Sequence, residues 1–173
     1  MKRRTWCLAP AAGLVWLCGA AASSAQTCTL VPDDGNPSQK ILRCGSTLTI
    51  RSAQGTTYHL TGQRGGQQPE GARLDSGALL IEFTPSEAHR NFQILTPHAT
   101  AAVRGTKWAT EVASGQTSTL VLSGAVEVAR RDRKSSATLG PGEGADVTRA
   151  SGPVVVKRWG EPRVRKLLAR FGQ

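Results

Sequence analysis

The side chains that could carry out chemistry are few in this sequence and stand apart from one another. His59, His89 and His98 do not follow the paired spacing of metal ligands. The chain also lacks a Gly-x-Ser-x-Gly turn, a His-Glu-x-x-His pair and a phosphate-binding glycine loop. Since catalysis needs convergent groups, the sequence predicts a protein that is not an enzyme and holds no metal or cofactor. A carboxylate pair assembled from distant strands is the one catalytic arrangement that stays open.

The segment 1–25 has the order of a secretory signal peptide. Basic residues at 2–4 precede an apolar run over 6–22, and small residues follow it at 23–25. Pro10 interrupts the run, so its unbroken core is shorter than the ~20 residues that span a bilayer, which disfavours a permanent membrane anchor. We therefore expect cleavage after Ala25 and a mature protein that is periplasmic or secreted, not cytoplasmic.

Cleavage at that point leaves two cysteines, Cys28 and Cys44, because Cys7 and Cys18 lie in the signal segment. Two cysteines in an exported chain favour a disulfide over a metal site. A turn-rich stretch with two prolines separates them, so we predict a disulfide-bonded hairpin over 27–45 with strands at 27–31 and 40–44. Closing a loop of this size stabilises a fold by roughly 3 kcal/mol.

The segment 26–156 has the pattern of one all-β domain. Short runs rich in Val, Ile, Leu and Thr alternate with Gly- and Pro-containing turns, and no helical pattern occurs before residue 160. The polar segment 62–72, rich in Gly and Gln, is predicted to be an exposed loop. The solvent face of the strands is expected to hold Glu111 and Glu127. Predicted strands lie at 47–50, 56–61, 78–83, 91–96, 101–103, 107–112, 118–122 and 125–129.

The segment 157–173 is predicted to be a basic tail with a short amphipathic helix. Pro162 can open the helix, and four apolar residues then recur at helical spacing. A helix that covers one end of the β domain is favoured over one that binds a membrane surface. The apolar face holds Val164, Leu167, Leu168 and Phe171, and a candidate basic binding patch holds Lys157, Arg158, Arg163, Arg165, Lys166 and Arg170.

The formal net charge is +10, and it falls to +7 without the signal segment, whose three basic residues have no acidic counterpart. Nucleic acid is an unsuitable partner, because an exported protein rarely meets it and aromatic residues do not interleave with the basic ones. Anionic lipid headgroups or acidic envelope polymers are the expected counter-charges. The second basic cluster, at 130–134, is predicted to be a solvated loop.

Residues 96–108, TPHATAAVRGTKW, resemble the core motif of the FecR domain, TP-x-x-x-A-x-x-G-T-x-F/W. Further similar segments follow in the same order, at Gly124 and at 139–143, and a weaker one lies upstream at 76–83. The resemblance is best over 73–148. The residues that carry it are Thr96, Pro97, Val103, Arg104, Gly105, Thr106, Trp108, Gly124 and Gly142.

The motif residues have structural explanations. Ala101 and Val103 would point into a narrow interior, because side chains alternate along a strand. Gly105 suits a backbone conformation closed to other residues, or a close approach of a neighbouring strand. Thr106 and Trp108 would share one face of their strand. We predict that one of Trp108 and Trp159 lies in the core and that the other anchors the tail.

The resemblance implies a β-solenoid-like or β-sandwich-like domain outside the cytoplasmic membrane. The best-known members of the family are iron-uptake regulators, which pass a signal through a membrane helix to a sigma factor. Since no such helix or partner-docking segment is recognised here, iron regulation is not expected to carry over. The expected function is protein interaction in an envelope signalling or assembly system, with an unknown envelope protein as partner. The alternative is association with peptidoglycan or anionic lipid through the basic tail.

Overall fold

The computed structural model describes residues 27–33, 36–63, 67–103 and 105–173, without the side chains of 36–40. These residues form thirteen β-strands and one short C-terminal helix, which confirms the all-β prediction. No helix in this part of the chain is long and apolar enough to cross a membrane. The strands are β1 (Cys28–Asp33), β2 (Asn36–Cys44), β3 (Leu48–Ser52), β4 (Thr57–Thr61), β5 (Gly71–Phe83), β6 (Phe92–Leu95), β7 (Ala99–Val103), β8 (Thr106–Ala113), β9 (Gln116–Ser123), β10 (Val126–Arg130), β11 (Ser136–Leu139), β12 (Glu143–Thr148) and β13 (Val156–Arg158); α1 (Glu161–Leu168) runs into a 3-10 turn, Ala169–Phe171.

Strand β5 belongs to two sheets and joins them. Its second half pairs with β3 and β8 in the first sheet, whose order is β1-β2-β3-β5-β8-β9-β12-β13. Its first half pairs with β4 and β6 in the second sheet, whose order is β4-β5-β6-β7-β10-β11. Every pairing is antiparallel except that of β5 with β6. The arrangement is therefore sandwich-like and nearly closed, since the sheet bends back on itself through β5.

One hydrophobic core fills the space between the two sheets. Trp108 of β8 is fully buried at its centre, with its ring centroid 6.2 Å from that of Phe92 on β6. Ala101 and Val103 point into this core from β7 as predicted, while Ala102 faces outward. Inward residues at alternate positions on both sheets thus build the interior.

A second hydrophobic cluster covers the outer face of the first sheet. Leu167 and Phe171 of the tail, together with Trp159, pack on Ala78, Leu80, Ala109 and Leu120. Small alanine side chains on the sheet make room for the larger residues of the tail. The prediction of a tail that covers the β domain is confirmed, as is the division of the two tryptophans between core and tail.

The disulfide between Cys28 and Cys44 is present and closes the open end of the predicted hairpin. The two cysteines lie directly opposite each other in the β1–β2 ladder, with their Cα atoms 4.0 Å apart. Both strands are longer than predicted, since β1 continues through Pro32 and Asp33 and β2 already begins at Asn36.

Candidate functional site

The turn between β6 and β7 begins at the Thr96 of the family motif, and that residue connects the two sheets. Its hydroxyl accepts a hydrogen bond from the Ala99 amide at 2.9 Å and lies 2.7 Å from the hydroxyl of Thr117 on β9. Nδ1 of His98 lies 3.3 Å from the same Thr117 hydroxyl. Thr96 therefore both shapes a tight turn and bonds to the opposite sheet. Pro97, the other motif residue in this turn, is exposed.

His98 is buried beside this contact, and its environment favours the neutral imidazole. Burial penalises the charged form, and the positive charge of Arg149 adds to that penalty, so the pKa of His98 lies below its usual range. The backbone carbonyl of His98 also accepts a hydrogen bond from the Arg131 amide at 3.0 Å. His98 thus contributes buried contacts at this end of the sandwich.

The motif glycines Gly105 and Gly124 pass very close to each other. Both have positive φ angles, +69° and +78°, and a Cβ on Gly124 would overlap the carbonyl oxygen of Gly105. Thr106 secures the approach, because its hydroxyl donates a hydrogen bond to the Ala125 carbonyl at 3.0 Å. Both predicted reasons for Gly105 apply at once. Arg104, which the motif also includes, lies outside the described residues.

The segment 139–143 forms a tight turn that meets the tail. Gly142 has a φ of +78°, and the Glu143 amide donates to the Gly140 carbonyl at 3.0 Å. Glu143 also accepts a hydrogen bond from the Gly140 amide through its carboxylate, at 2.7 Å. The Trp159 amide then donates to the Gly142 carbonyl at 3.0 Å, so this turn fixes the start of the tail.

Three of the six residues of the predicted basic patch form ion pairs within the chain. The guanidinium of Arg163 donates to both oxygens of Asp146, at 2.9 and 2.6 Å, and stacks 3.5 Å from the centre of a Trp159 ring. Arg170 pairs with Glu111 of β8, which lies on the outer face of its strand as predicted. Arg165 forms an exposed pair with Glu161 on the same helix, at 3.0 Å.

The other three patch residues, Lys157, Arg158 and Lys166, form no ion pair within 4 Å with the part of the chain that the structure describes. All three side chains are exposed. The patch is therefore smaller than its sequence suggests. Its charged groups lie beside the tail helix, whose apolar face is already occupied by the first sheet.

Asp146 is the acceptor that holds the tail helix against the first sheet. Burial opposes ionisation of its carboxyl, but hydrogen bonds from Arg163 and Ser118 outweigh it, and the charges of Arg163 and Lys157 add to them. Together they hold the pKa of Asp146 below its usual range. The Ser118 hydroxyl donates to Asp146 at 2.7 Å. Asp146 and Arg163 thus form a bidentate, charge-assisted pair across two elements.

The turn at 130–134 follows the prediction of a solvated loop except at its first residue. Arg131, Asp132, Arg133 and Lys134 are exposed, whereas Arg130 is buried at the end of β10. The Arg130 guanidinium donates to the backbone carbonyls of Thr148 and Ala150. The prediction was wrong for Arg130 because strand alternation turns it inward, where two free carbonyls accept its charge-assisted hydrogen bonds.

The predicted exposed loop at 62–72 is also partly wrong. Gln68 is only 2% exposed, and Ala72 is fully buried, because β5 already begins at Gly71. The Oε1 atom of Gln68 accepts a hydrogen bond from the Thr47 hydroxyl, which draws the segment toward the sandwich. The polar composition of this segment did not predict the burial, since a glutamine side chain can be buried when it has a hydrogen-bond partner.

An open groove of 1090 Å³ lies at the end of the second sheet, and we call it the second-sheet groove. Its walls come from the segments 67–70 and 88–93, and its floor includes Ala102, Glu127 and Thr138. Sequence reasoning missed this groove because its lining comes from five separated segments. The only signal was the unusual number of carboxamide side chains between residues 67 and 93.

Strand β1 forms an outer edge of the first sheet, since β2 is its one partner among the described strands. Leu30, at its middle, is 60% exposed. No group of three or more His, Cys, Asp or Glu side chains among the described residues could hold a metal ion. His59 is exposed and lies 3.7 Å from Asp75, while His89 lines the second-sheet groove.

Comparison with known proteins agrees with this architecture. The model of the family described as FecR protein matches residues 35–127. This match includes the motif at 96–108 but ends before 139–143, whose assignment to the family stays a prediction. No curated protein sequence matches the chain.

Two crystal structures, at 1.65 and 2.50 Å resolution, have a similar fold, and both are of a candidate anti-sigma factor from Parabacteroides distasonis ATCC 8503. Each aligns with a TM-score of 0.56 at 16% identity over 83% of this chain. The aligned region spans 61% of that protein's length. At this identity the likeness concerns the fold alone.

Proposed function

The chain belongs to the FecR protein family, and we propose that it is an exported, non-enzymatic module that binds another protein in an envelope signalling or assembly system. The family match and the fold shared with a candidate anti-sigma factor support a signalling-related role.

Export is supported by two independent features of the chain. The segment 1–25, which lies outside the described residues, has the sequence of a signal peptide. The Cys28–Cys44 disulfide is a bond that persists in oxidising compartments and is rare in the cytosol. A periplasmic or secreted location is consistent with both.

The free edge of β1 is the surface that supports protein binding best. In an antiparallel ladder, directly opposed residues alternate between hydrogen-bonded pairs about 5.5 Å apart and non-hydrogen-bonded pairs about 4.5 Å apart. The Cys28–Cys44 pair has its Cα atoms 4.0 Å apart and is thus of the second kind. By alternation Leu30, opposite Leu42, is of the same kind.

The backbone groups of Leu30 therefore point away from β2 and toward the free edge. An exposed leucine with an open N–H and an open C=O can receive an added strand from a partner, which then contributes backbone hydrogen bonds and an apolar contact. This exposed edge position is the observation that carries the proposed mode of binding. Pro32 closes the edge beyond it, because proline has no N–H to offer.

The test is photo-cross-linking from position 30 of the full-length protein in its native envelope, with mass spectrometry of the adduct. A photo-reactive residue at Val155, the other exposed large hydrophobic residue, serves as the control. We expect a discrete protein adduct from position 30 that survives high salt. The role of the open N–H is tested with the photo-reactive residue at the exposed neighbouring position, Thr29, so that position 30 can be varied. That adduct should disappear in Leu30→Pro, which removes the open N–H without breaking a β1–β2 bond, and persist in Leu30→Ala. No adduct at position 30, or a position-29 adduct insensitive to Leu30→Pro, would refute binding at this edge.

The alternative, association with envelope glycan or anionic lipid through the basic tail, depends on Lys157, Arg158 and Lys166. Deleting the tail would expose the cluster around Trp159, so charge reversal of these three residues is the cleaner variant. Binding that is lost in high salt and in the reversed variant would favour this alternative. The apolar face of α1 is not available to a membrane while it covers the first sheet.

A further inference from the structure

We propose that the second-sheet groove binds an uncharged saccharide segment. This is a separate function from protein binding at the β1 edge, and it uses a different face of the molecule. The groove lies on the second sheet, whose outer face has no counterpart to the helix that covers the first sheet in the described chain.

The floor of the groove is a row of outward side chains at matched positions on four strands. Gln93 of β6 pairs with Ala102 of β7, Ala102 pairs with Glu127 of β10, and Glu127 pairs with Thr138 of β11. These directly opposed residues lie side by side on one face. Because Ala102 is small, it leaves a recess between the longer polar side chains of Gln93 and Glu127.

Two buried polar atoms that lack a hydrogen-bond partner belong to residues that line this groove. They are Nε2 of Gln68 and Nδ1 of His89, two of the five such side-chain atoms in the described part of the chain. Gln68 is 98% buried, and its Oε1 is occupied by Thr47, which leaves the Nε2 donor beside the groove. A buried donor without a partner destabilises the fold, and a bound acceptor would offset that cost.

The lining chemistry favours a ligand with hydroxyl groups. Four carboxamides line the groove; a carboxamide has both a donor and an acceptor, as a sugar hydroxyl does, although the acceptor of Gln68 is occupied by Thr47. The charged groups are Glu70, Glu127 and Arg90, so the lining is slightly acidic although the chain as a whole carries +10. An anionic headgroup or polymer would therefore be repelled here and attracted to the basic surfaces instead. The carboxamides are Gln67, Gln68, Asn91 and Gln93.

The same geometry makes a peptide or a lipid a poor occupant. Strands β6, β7 and β10 are each paired on both sides, so the floor offers side chains and no open backbone ladder for strand addition. The lining carries no exposed aromatic or long aliphatic side chain for an acyl tail, because Phe92 is fully buried. A volume of 1090 Å³ lies just above the ~300–1,000 Å³ of small-molecule sites, which suits several linked sugar rings.

Two measurements test the proposal. The first is an NMR titration of the ¹⁵N-labelled full-length protein with cellotriose and with chitotriose, and the second is binding of the protein to a chemically diverse array of neutral oligosaccharides on a chip. We expect shifts of the amides at 67–70, 88–93 and 125–127 on binding. Ala102→Trp fills the groove from an outward position and should weaken binding at least tenfold. Ala129→Trp is the matched control, because Ala129 faces outward on β10 beyond the groove and should retain full affinity.

Glu127→Gln provides a second variant that leaves the fold untouched, since Glu127 is exposed. It should change affinity severalfold for the same oligosaccharide. Equal binding by the Ala102→Trp and Ala129→Trp variants, or shifts confined to residues outside the groove, would overturn the proposal. Absence of binding to every oligosaccharide on the array would also overturn it, whatever the outcome of cross-linking at Leu30.

Discussion

The hydroxyl of Thr96 lies 2.7 Å from the hydroxyl of Thr117, and this contact joins the second sheet to the first. Thr96 is in the turn between β6 and β7, whereas Thr117 is the second residue of β9. Both side chains are buried. A residue of the family motif thus has a structural role, because it bonds the turn of the second sheet to β9 of the first sheet.

Replacement of Thr117 by Val should destabilise the protein by about 1–3 kcal/mol, because the buried Thr96 hydroxyl and Nδ1 of His98 would each lose a hydrogen bond. Urea denaturation of both proteins measures the difference in the free energy of unfolding. Thr100→Val on the outer face of β7 is the control and should change stability by much less. Equal effects of the two substitutions would show that the inter-sheet hydrogen bond contributes nothing.

Replacement of Gly144 by Ala should loosen the tail. A Cβ at this position would overlap the indole of Trp159 and lie 2.7 Å from the Thr119 carbonyl oxygen, so the tryptophan must move. Overpacking of this kind costs about 1–3 kcal/mol. Tryptophan fluorescence and hydrogen exchange of α1 should both report the change. Gly140→Ala, whose Cβ would approach no atom closer than 3.4 Å, should leave both measurements near those of the wild type.

Local patterns sufficed to predict much of this fold. The alternation at 101–103 and at 106–108 determined which residues enter the core, and the spacing of Val164, Leu167 and Phe171 identified the face of the tail. The disulfide followed from there being only two cysteines after the signal segment. Each of these features depends on residues that are close in the sequence, or on two cysteines that have no other cysteine to pair with.

Features that depend on distant segments were not predictable in the same way. Arg130 can be buried because it donates hydrogen bonds to the carbonyls of residues 148 and 150. Gln68 can be buried because it accepts a hydrogen bond from Thr47. Composition alone places both residue types at the surface. The second-sheet groove has the same origin, since its floor requires the register of four strands. The family motif predicted the fold but not the groove, although Ala102 and Val103 of the motif segment line it.

Replacement of Asp146 by Asn should remove a pH-dependent contribution to stability. The folded pKa of Asp146 lies below its ordinary value of 3.8, so the carboxylate stabilises the fold above that pH and the contribution is lost as the pH falls through the folded pKa. The wild type should thus be more stable than Asp146→Asn at pH 7 and at pH 5, and the gap should shrink toward pH 2. Denaturation curves at these three values measure it. A gap that is constant with pH would contradict the role of the ionised pair with Arg163.

Protonation of His98 should destabilise the fold in a different pH window. Its folded pKa lies below the ordinary value of 6.5, because burial and Arg149 disfavour the imidazolium. Between the two values the unfolded chain binds more protons than the folded one, so stability is full above pH 6.5 and declines as the pH falls below it. His98→Gln should remove this part of the decline between pH 7 and pH 5, with the Asp146 contribution unchanged in that range. NMR titration of the imidazole measures the folded pKa directly; a midpoint for His98 at or above 6.5 would contradict the expected burial effect.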